Sequence, residues 1–248
     1  MSAIKTFVTC PKQYAFRYIH HAPAAFRSVA LAFGTAWHRT VGEYFLSGDA
    51  PIAVGELHDL FAATLEGELD ADGPPVLLED DETVDDLVSA GKRMLDVFVA
   101  RVPVPEKVLG VEVPFSLELV DPRTGEVLPV PLVGALDAVV LHAGRGAVLE
   151  LKTGKKKWAA DQLETDVQMT AYSLAARALG YDGATLTLMV ATKTKAPDVQ
   201  IEHLVRTRRD EDEFVATALS VHRAVRAGVD HAIRGWQCKN CAYSDVCR

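Results

Sequence analysis

Residues 133–158 read "VGALDAVVLHAGRGAVLELKTGKKKW". Two short runs rich in β-branched and apolar residues flank the turn-like "HAGRG", the pattern of a β-hairpin. Asp137 sits inside the first run, and Glu150 and Lys152 sit near the end of the second. Residues two apart on a strand project from one face, so Glu150 and Lys152 point the same way. The hairpin brings Asp137 within reach of Glu150. A carboxylate buried in a run as apolar as "LVGALDAVVL" is costly unless it finds a partner. Two carboxylates and an ammonium at one sheet edge suit an oxygen-ligated divalent cation, Mg²⁺ or Mn²⁺. Such an ion polarises a phosphodiester while the lysine holds or activates a water. Taken by themselves, Glu150 and Lys152 also fit the solvated face of a half-buried strand.

Outward from the hairpin the period keeps changing. Upstream, "LGVEVPFSLELV" is a further strand, set off by the turn-like "DPRTGE", so three strands make a meander. Downstream, 159–180 ("AADQLETDVQMTAYSLAARALG") reads as one long amphipathic helix closed by Gly180. The strands "ATLTLMVAT" and "VQIEHLVR" follow, then the helix "DEDEFVATALSVHRAVRAG", whose acids sit at its positive end. The first third is helical: "PKQYAFRYIHH", "GTAWHRTVGEYFLSG" bounded by Gly34 and Gly48, "PIAVGELHDLFAATLEGELDA", and "VDDLVSAGKRMLDVFVARV" ending before Pro103. The β-β-β-α-β-β order with helices at both ends predicts one α/β domain with an N-terminal helical elaboration. Its parts are a helical segment 10–105, a core 106–208 and a C-terminal segment 209–248.

The chain has 248 residues and a net charge of −8, which argues against a polyanionic partner until the charge is located. Between Asp49 and Asp86 lie thirteen acids, Asp80 and Asp81 among them, and no Lys or Arg. The rest of the chain therefore carries +5, which permits a polyanionic substrate. The acidic run reads as a solvated helical face or loop. The N-terminus lacks the apolar run of a signal peptide, and no segment reaches the length of a membrane span. A cytoplasmic protein with reduced thiols and no membrane partner is expected.

All four cysteines lie near the ends of the chain, at Cys10 and in "CKNCAYSDVC", which holds Cys238, Cys241 and Cys247. Three clustered thiolates need a fourth ligand to close a tetrahedral site. His231 is one candidate, but it leaves Cys10 idle; Cys10 completes a four-sulfur site if the two chain ends meet. Thiolates select zinc or an iron–sulfur cluster, and the spacing does not choose between them.

Gly134–Asp137 (GxxD), Glu150–Lys152 (ExK) and Gln168–Tyr172 (QxxxY) together resemble the PD-(D/E)XK nuclease superfamily, in its RecB-like branch. The resemblance implies a restriction-endonuclease-like mixed β-sheet flanked by helices. Asp137, Glu150, Lys152, Gln168 and Tyr172 would then be the catalytic residues. Gln168 and Tyr172, four apart, share one helix face and would point at the scissile phosphate. "FGTAWHRTVGEYF" resembles the family's histidine helix, so His38 would join Asp137, Glu150 and the Leu151 carbonyl as metal ligands. Glu112 in "LGVEVPF" matches the acidic residue of the first strand, either supporting the site or serving as a salt-bridge partner. Lys155, Lys156 and Lys157 would draw backbone phosphates towards the site. Trp158 would stack on a base or pack into the core. "TCPKQYAFRY" and the terminal cysteines resemble RecB-like nucleases of the AddB and CRISPR-associated exonuclease type. In those proteins one cysteine before the fold and three after it hold a [4Fe-4S] cluster, here Cys10, Cys238, Cys241 and Cys247. The implied function is a Mg²⁺- or Mn²⁺-dependent DNA exonuclease acting on single-stranded ends. No GxxxxGK[ST] motif is present, so unwinding would fall to a helicase partner, within a repair or spacer-acquisition complex. No family motif falls in residues 49–105. The rival reading is a non-catalytic, zinc-stapled DNA-binding or assembly subunit on a decayed nuclease fold.

Overall fold

Three long strands rich in apolar and β-branched residues form within 107–154, and everything else packs onto the sheet they begin. The structure is a computed structural model describing residues 2–79, 82–142 and 144–247; Asp80 and Asp81 of the acidic run lie outside the described residues. Along the chain come α1 (Ser2–Thr9), α2 (Pro11–Tyr14) continued by a π-turn (Ala15–Ile19), β1 (Arg27–Ser28), α3 (Val29–Leu46) and α4 (Val54–Asp70). Next are β2 (Val76–Leu77), α5 (Val84–Arg101), β3 (Lys107–Leu117), β4 (Leu132–His142), β5 (Arg145–Gly154) and α6 (Ala160–Thr165). The chain continues through α7 (Val167–Ala178), β6 (Thr185–Thr192), β7 (Val199–Leu204) and α8 (Arg208–Arg226). The main sheet has the order β3-β4-β5-β6-β7. Neighbours pair antiparallel except β5 and β6, which are parallel because α6 and α7 carry the chain back across the sheet. This is the mixed sheet flanked by helices expected of a restriction-endonuclease-like fold.

Alternation on β5 divides the interior into two cores. Leu149 and Leu151 face α3, α4 and α5, where Trp37, Phe45, Phe61 and Phe98 are buried. Val148 faces the opposite way, towards Met169 and Tyr172 of α7 and Phe214 of α8. Burial of such side chains contributes about 2 kcal/mol each to the folded state.

Several elements differ from the expectation, among them the helix α1 (Ser2–Thr9), which precedes the expected first helix. The helix at 159–180 is two helices, broken at Asp166, whose carboxylate accepts the amides of Gln168 (2.9 Å) and Met169 (3.0 Å) as the N-cap of α7. Arg206 fastens this break by donating to the Leu163 carbonyl (2.8 Å) and the Thr170 hydroxyl (3.1 Å). Helix α3 starts at Val29 rather than Gly34, because the Ser28 hydroxyl caps the Ala30 amide. The parallel pair β1–β2, two residues each, carries too little pattern to be read from sequence.

The chain ends meet. The Lys12 amide donates to the His231 carbonyl (3.1 Å), the Ala25 amide donates to the Ala242 carbonyl (2.9 Å), and Phe16 stacks on Tyr243. Among the described residues no helix is long and apolar enough to cross a membrane.

Candidate active site

Strands β4 and β5 pair from His142↔Arg145 to Ala138↔Leu149 and then part, while β5 stays paired with β6 as far as Gly154↔Thr192. Asp137 is the first residue past the fork. Its Oδ2 accepts the Leu151 amide at 2.7 Å, replacing the lost ladder bond. The buried carboxylate thereby gains the partner its apolar surroundings demand. Side chains from both faces of the sheet converge on the gap.

From the first face comes His38 on α3. Its Nε2 lies 2.9 Å from the Leu151 carbonyl, and its Nδ1 lies 3.5 Å from Asp137 Oδ2 and 3.8 Å from Glu112 Oε1. Donation from Nε2 leaves the Nδ1 lone pair facing two carboxylates. Burial lowers the His38 pKa, but the hydrogen bond with Glu112 and the charges of Asp137 and Glu150 outweigh it, and the net shift is upward. A proton or a cation is what this arrangement lacks. One ligand atom each from His38, Glu112 and Asp137 lie within 4.8 Å of one another, a donor set that suits a hard divalent ion.

Glu112 reaches this point through a backbone irregularity. Its φ is +50°, in the left-handed region. Val111 packs on the first core and Val113 on the second, although alternation puts residues two apart on one face. Glu112 is where β3 switches faces. The conformation costs a non-glycine residue about 1–2 kcal/mol, a strain typical of functional positions.

From the second face come Glu150 and Lys152. Glu150 is 1% exposed, and neither carboxylate oxygen has a hydrogen-bond partner among the described residues. Lys152 is ion-paired with Oε1. Burial, then the charge of Asp137, pushes the Glu150 pKa up to about 7 against the pull of Lys152. The Lys152 ammonium donates to Gln168 Oε1 (3.0 Å), and Gln168 Nε2 donates to the Tyr172 hydroxyl (3.4 Å). That hydroxyl lies 2.6 Å from the Ala135 carbonyl and 3.0 Å from Asp137 Oδ1, either of which takes its proton. Burial and the charges of Glu150 and Asp137 raise the Tyr172 pKa, so it remains a neutral donor. Gly134 leaves room for this packing. A Cβ there would come within 2.6 Å of the Phe115 ring, which stands edge-on to Tyr172.

His38, Asp137, Glu150, Leu151, Lys152, Gln168 and Tyr172 therefore lie around one fork. Glu112, whose role the sequence left open, completes the three-ligand group with His38 and Asp137, whereas Glu150 lies outside that group. Lys155 and Lys157 are ion-paired with Glu79 and Asp198, and Lys156 is exposed. Trp158 packs partly buried against the second core, with its amide donating to Gln200 Oε1 at 2.8 Å. All four cysteines are free thiols and line a single cavity of about 110 Å³, together with Phe16 and Tyr243. No three of their sulfurs lie within 4.8 Å of one another, and His231 is not in the lining.

The model of the PD-(D/E)XK nuclease superfamily matches residues 1–248. The chain belongs to the PD-(D/E)XK nuclease superfamily. Nucleases of this superfamily use divalent metals, and the His38–Glu112–Asp137 group offers this one a place for such an ion. Among solved structures, this PD-(D/E)XK chain is similar to a "Putative exonuclease" from Eubacterium rectale. The two are 20% identical, with a TM-score of 0.55 over 100% of this chain and 85% of that one, a likeness of fold. A second structure, SSO0001, aligns over 99% of this chain and 94% of its own at 15% identity and a TM-score of 0.40. No curated protein matches the chain.

Proposed function

We propose that this PD-(D/E)XK protein is a RecB-like, metal-dependent DNA exonuclease that hydrolyses phosphodiester bonds from single-stranded ends. The whole chain would act as one nuclease domain, with a [4Fe-4S] cluster fastening its two ends. The carrying observation is the fork, where a histidine lone pair and two carboxylates face one point and a third carboxylate is buried nearby without hydrogen bonds. In this reading His38, Asp137, Glu150 and the Leu151 carbonyl hold Mg²⁺ or Mn²⁺, and Glu112 joins them. Bound there, the ion supplies Lewis-acid polarisation of the scissile phosphate. Lys152, steadied by Gln168, holds the attacking water; the water oxygen bonds to phosphorus, the ester P–O bond breaks, and the leaving oxygen takes up a proton. Tyr172 keeps Asp137 in place and, with Gln168, orients the strand. The exonuclease assignment draws on the sequence motifs and on the name given to the Eubacterium rectale protein.

For the cysteines, the gathering of Cys10, Cys238, Cys241 and Cys247 around one cavity supports a four-sulfur site, and the resemblance to cluster-bearing RecB-like nucleases selects [4Fe-4S]. Cluster binding would buckle the first helices to the C-terminal segment.

Incubating the purified protein with end-labelled single strands, with and without Mn²⁺, tests the activity. Lys152→Ala should keep the fold and the cluster yet lose Mn²⁺-dependent cleavage. Undiminished cleavage by that variant refutes the assignment.

A further inference from the structure

We infer that Lys155 and Lys193 form a track for the phosphates of the nucleic-acid strand, and that Glu79 and Glu82 occupy this track in the free protein. The inference rests on the nuclease reading and names the surface beside that site which takes the strand. Lys155 lies three residues beyond Lys152, in the loop after β5. Lys193 leaves the end of β6, and its amide donates to the Gly154 carbonyl at 2.7 Å, so the two lysines emerge from adjacent parallel strands at one level. Both ammonium groups are held by carboxylates of the acidic run: Lys155 by Glu79, and Lys193 by Glu82 Oε1 at 2.8 Å. The hydrogen bond from Lys155, and then the charges of Lys155 and Lys193, hold the Glu79 carboxyl below its ordinary pKa.

Two further observations mark these pairs as an occupied anion site rather than scattered surface contacts. Lys193 and Glu82 are only 17% and 20% exposed, and the Lys193 ammonium also lies 5.3 Å from the centre of the Phe33 ring, a cation–π contact. Glu82 Oε2 is buried with no hydrogen-bond partner among the described residues. A lysine already fixed by an aromatic face and a carboxylate is preorganised for another oxyanion, and phosphate oxygens take the same charge-assisted hydrogen bonds. The flanks of the acidic segment are pinned. Arg27 donates to the carbonyls of Pro74 (3.0 Å), Ala71 (2.9 Å) and Glu68 (3.2 Å), and Thr83 and Asp86 form a capping box at the start of α5. Glu79 and Glu82 are thereby delivered to the lysines from fixed anchors. The Glu79–Lys155 pair, with both partners more than half exposed, is weak enough to exchange for a phosphate. The unbroken acidic run and the "GKKK" loop, two unrelated features in the sequence, become one device. The carboxylates stand in for phosphates, keep the like-charged lysines together, and must be displaced when the strand arrives.

The test is anisotropy of a fluorescently labelled oligo-dT strand in EDTA, where cleavage is absent, using the full chain. Glu79→Gln with Glu82→Gln should bind about tenfold more tightly at low salt, with a steeper fall as salt rises, because no carboxylates compete for the lysines. Lys155→Ala with Lys193→Ala should bind at least about tenfold more weakly. Equal affinity of the glutamine variant and the wild type, or an undiminished lysine variant, overturns the inference. Glu79→Gln alone carries the test if the double variant fails to fold, since it changes only an exposed pair. Cleavage by wild-type protein with no affinity change in the glutamine variants sinks the track and leaves the nuclease reading standing. Tighter binding by those variants, with no cleavage by any form in Mn²⁺, does the reverse.

Discussion

Glu150→Gln separates the stability of the fold from the demands of the site. The Glu150 carboxyl is pushed from 4.5 to about 7, first by burial and then by Asp137. At roughly 1.4 kcal/mol per pH unit, holding this group charged costs the metal-free protein about 3 kcal/mol above pH 7. The sign follows from proton counting. Between about pH 4.5 and pH 7 the folded chain keeps a proton that the unfolded chain has lost, so stability falls as pH rises through that window. His38, whose pKa is raised in part by Glu150 itself, adds stability at low pH that also fades as pH rises; the variant loses the Glu150 share of it, which trims its advantage at the low-pH end. Glutamine has the same shape without the charge, and its carbonyl can accept from Lys152. Urea denaturation in EDTA should find the variant more stable than wild type by about 3 kcal/mol at pH 8 and by less than about 1 kcal/mol at pH 5. Mn²⁺ should stabilise the wild type, increasingly as pH rises and the proton leaves, and should do little for the variant. A variant no more stable than wild type at pH 8, or one with equal gains at both pH values, refutes the argument that Glu150 is a buried charge only partly offset by Lys152.

Further outcomes follow from single contacts. Gly134→Ala pushes a methyl into the Phe115 ring that backs Tyr172, and should cost about 1–3 kcal/mol by urea denaturation together with a loss of cleavage. Glu112→Gly relieves the left-handed backbone and should raise metal-free stability by about 1 kcal/mol, while weakening Mn²⁺ binding measured by titration calorimetry. Cys10→Ser should abolish iron incorporation, read by elemental analysis and visible absorbance, and should lower the melting temperature because the chain ends lose their clasp. A colourless, zinc-containing wild type would instead support the zinc-stapled rival.

Much of the candidate site is local and was legible. Glu150 and Lys152 share a strand face because strands alternate, and Gln168 and Tyr172 share a helix face because they lie four apart. The break at Asp166 is hidden by an apolar pattern that runs through it; its one local signal is an aspartate placed to cap the Gln168 amide. The role of Glu112 is not legible in sequence, because its membership depends on a change of strand face that no periodicity reports. The pairing of Lys193 with Glu82 joins residues 111 positions apart, beyond any local signal.

The sequence by itself determined the hairpin at 133–158, the α/β order around it and the chemical types gathered there, since period, turn residues and side-chain chemistry are properties of short stretches. Only the tertiary structure decided where β4 leaves β5, which carboxylate fills the gap, and which acids rest on which lysines. Those outcomes are set by competition among distant groups for the same buried amide, cation site or ammonium, and that competition exists only once the chain has folded.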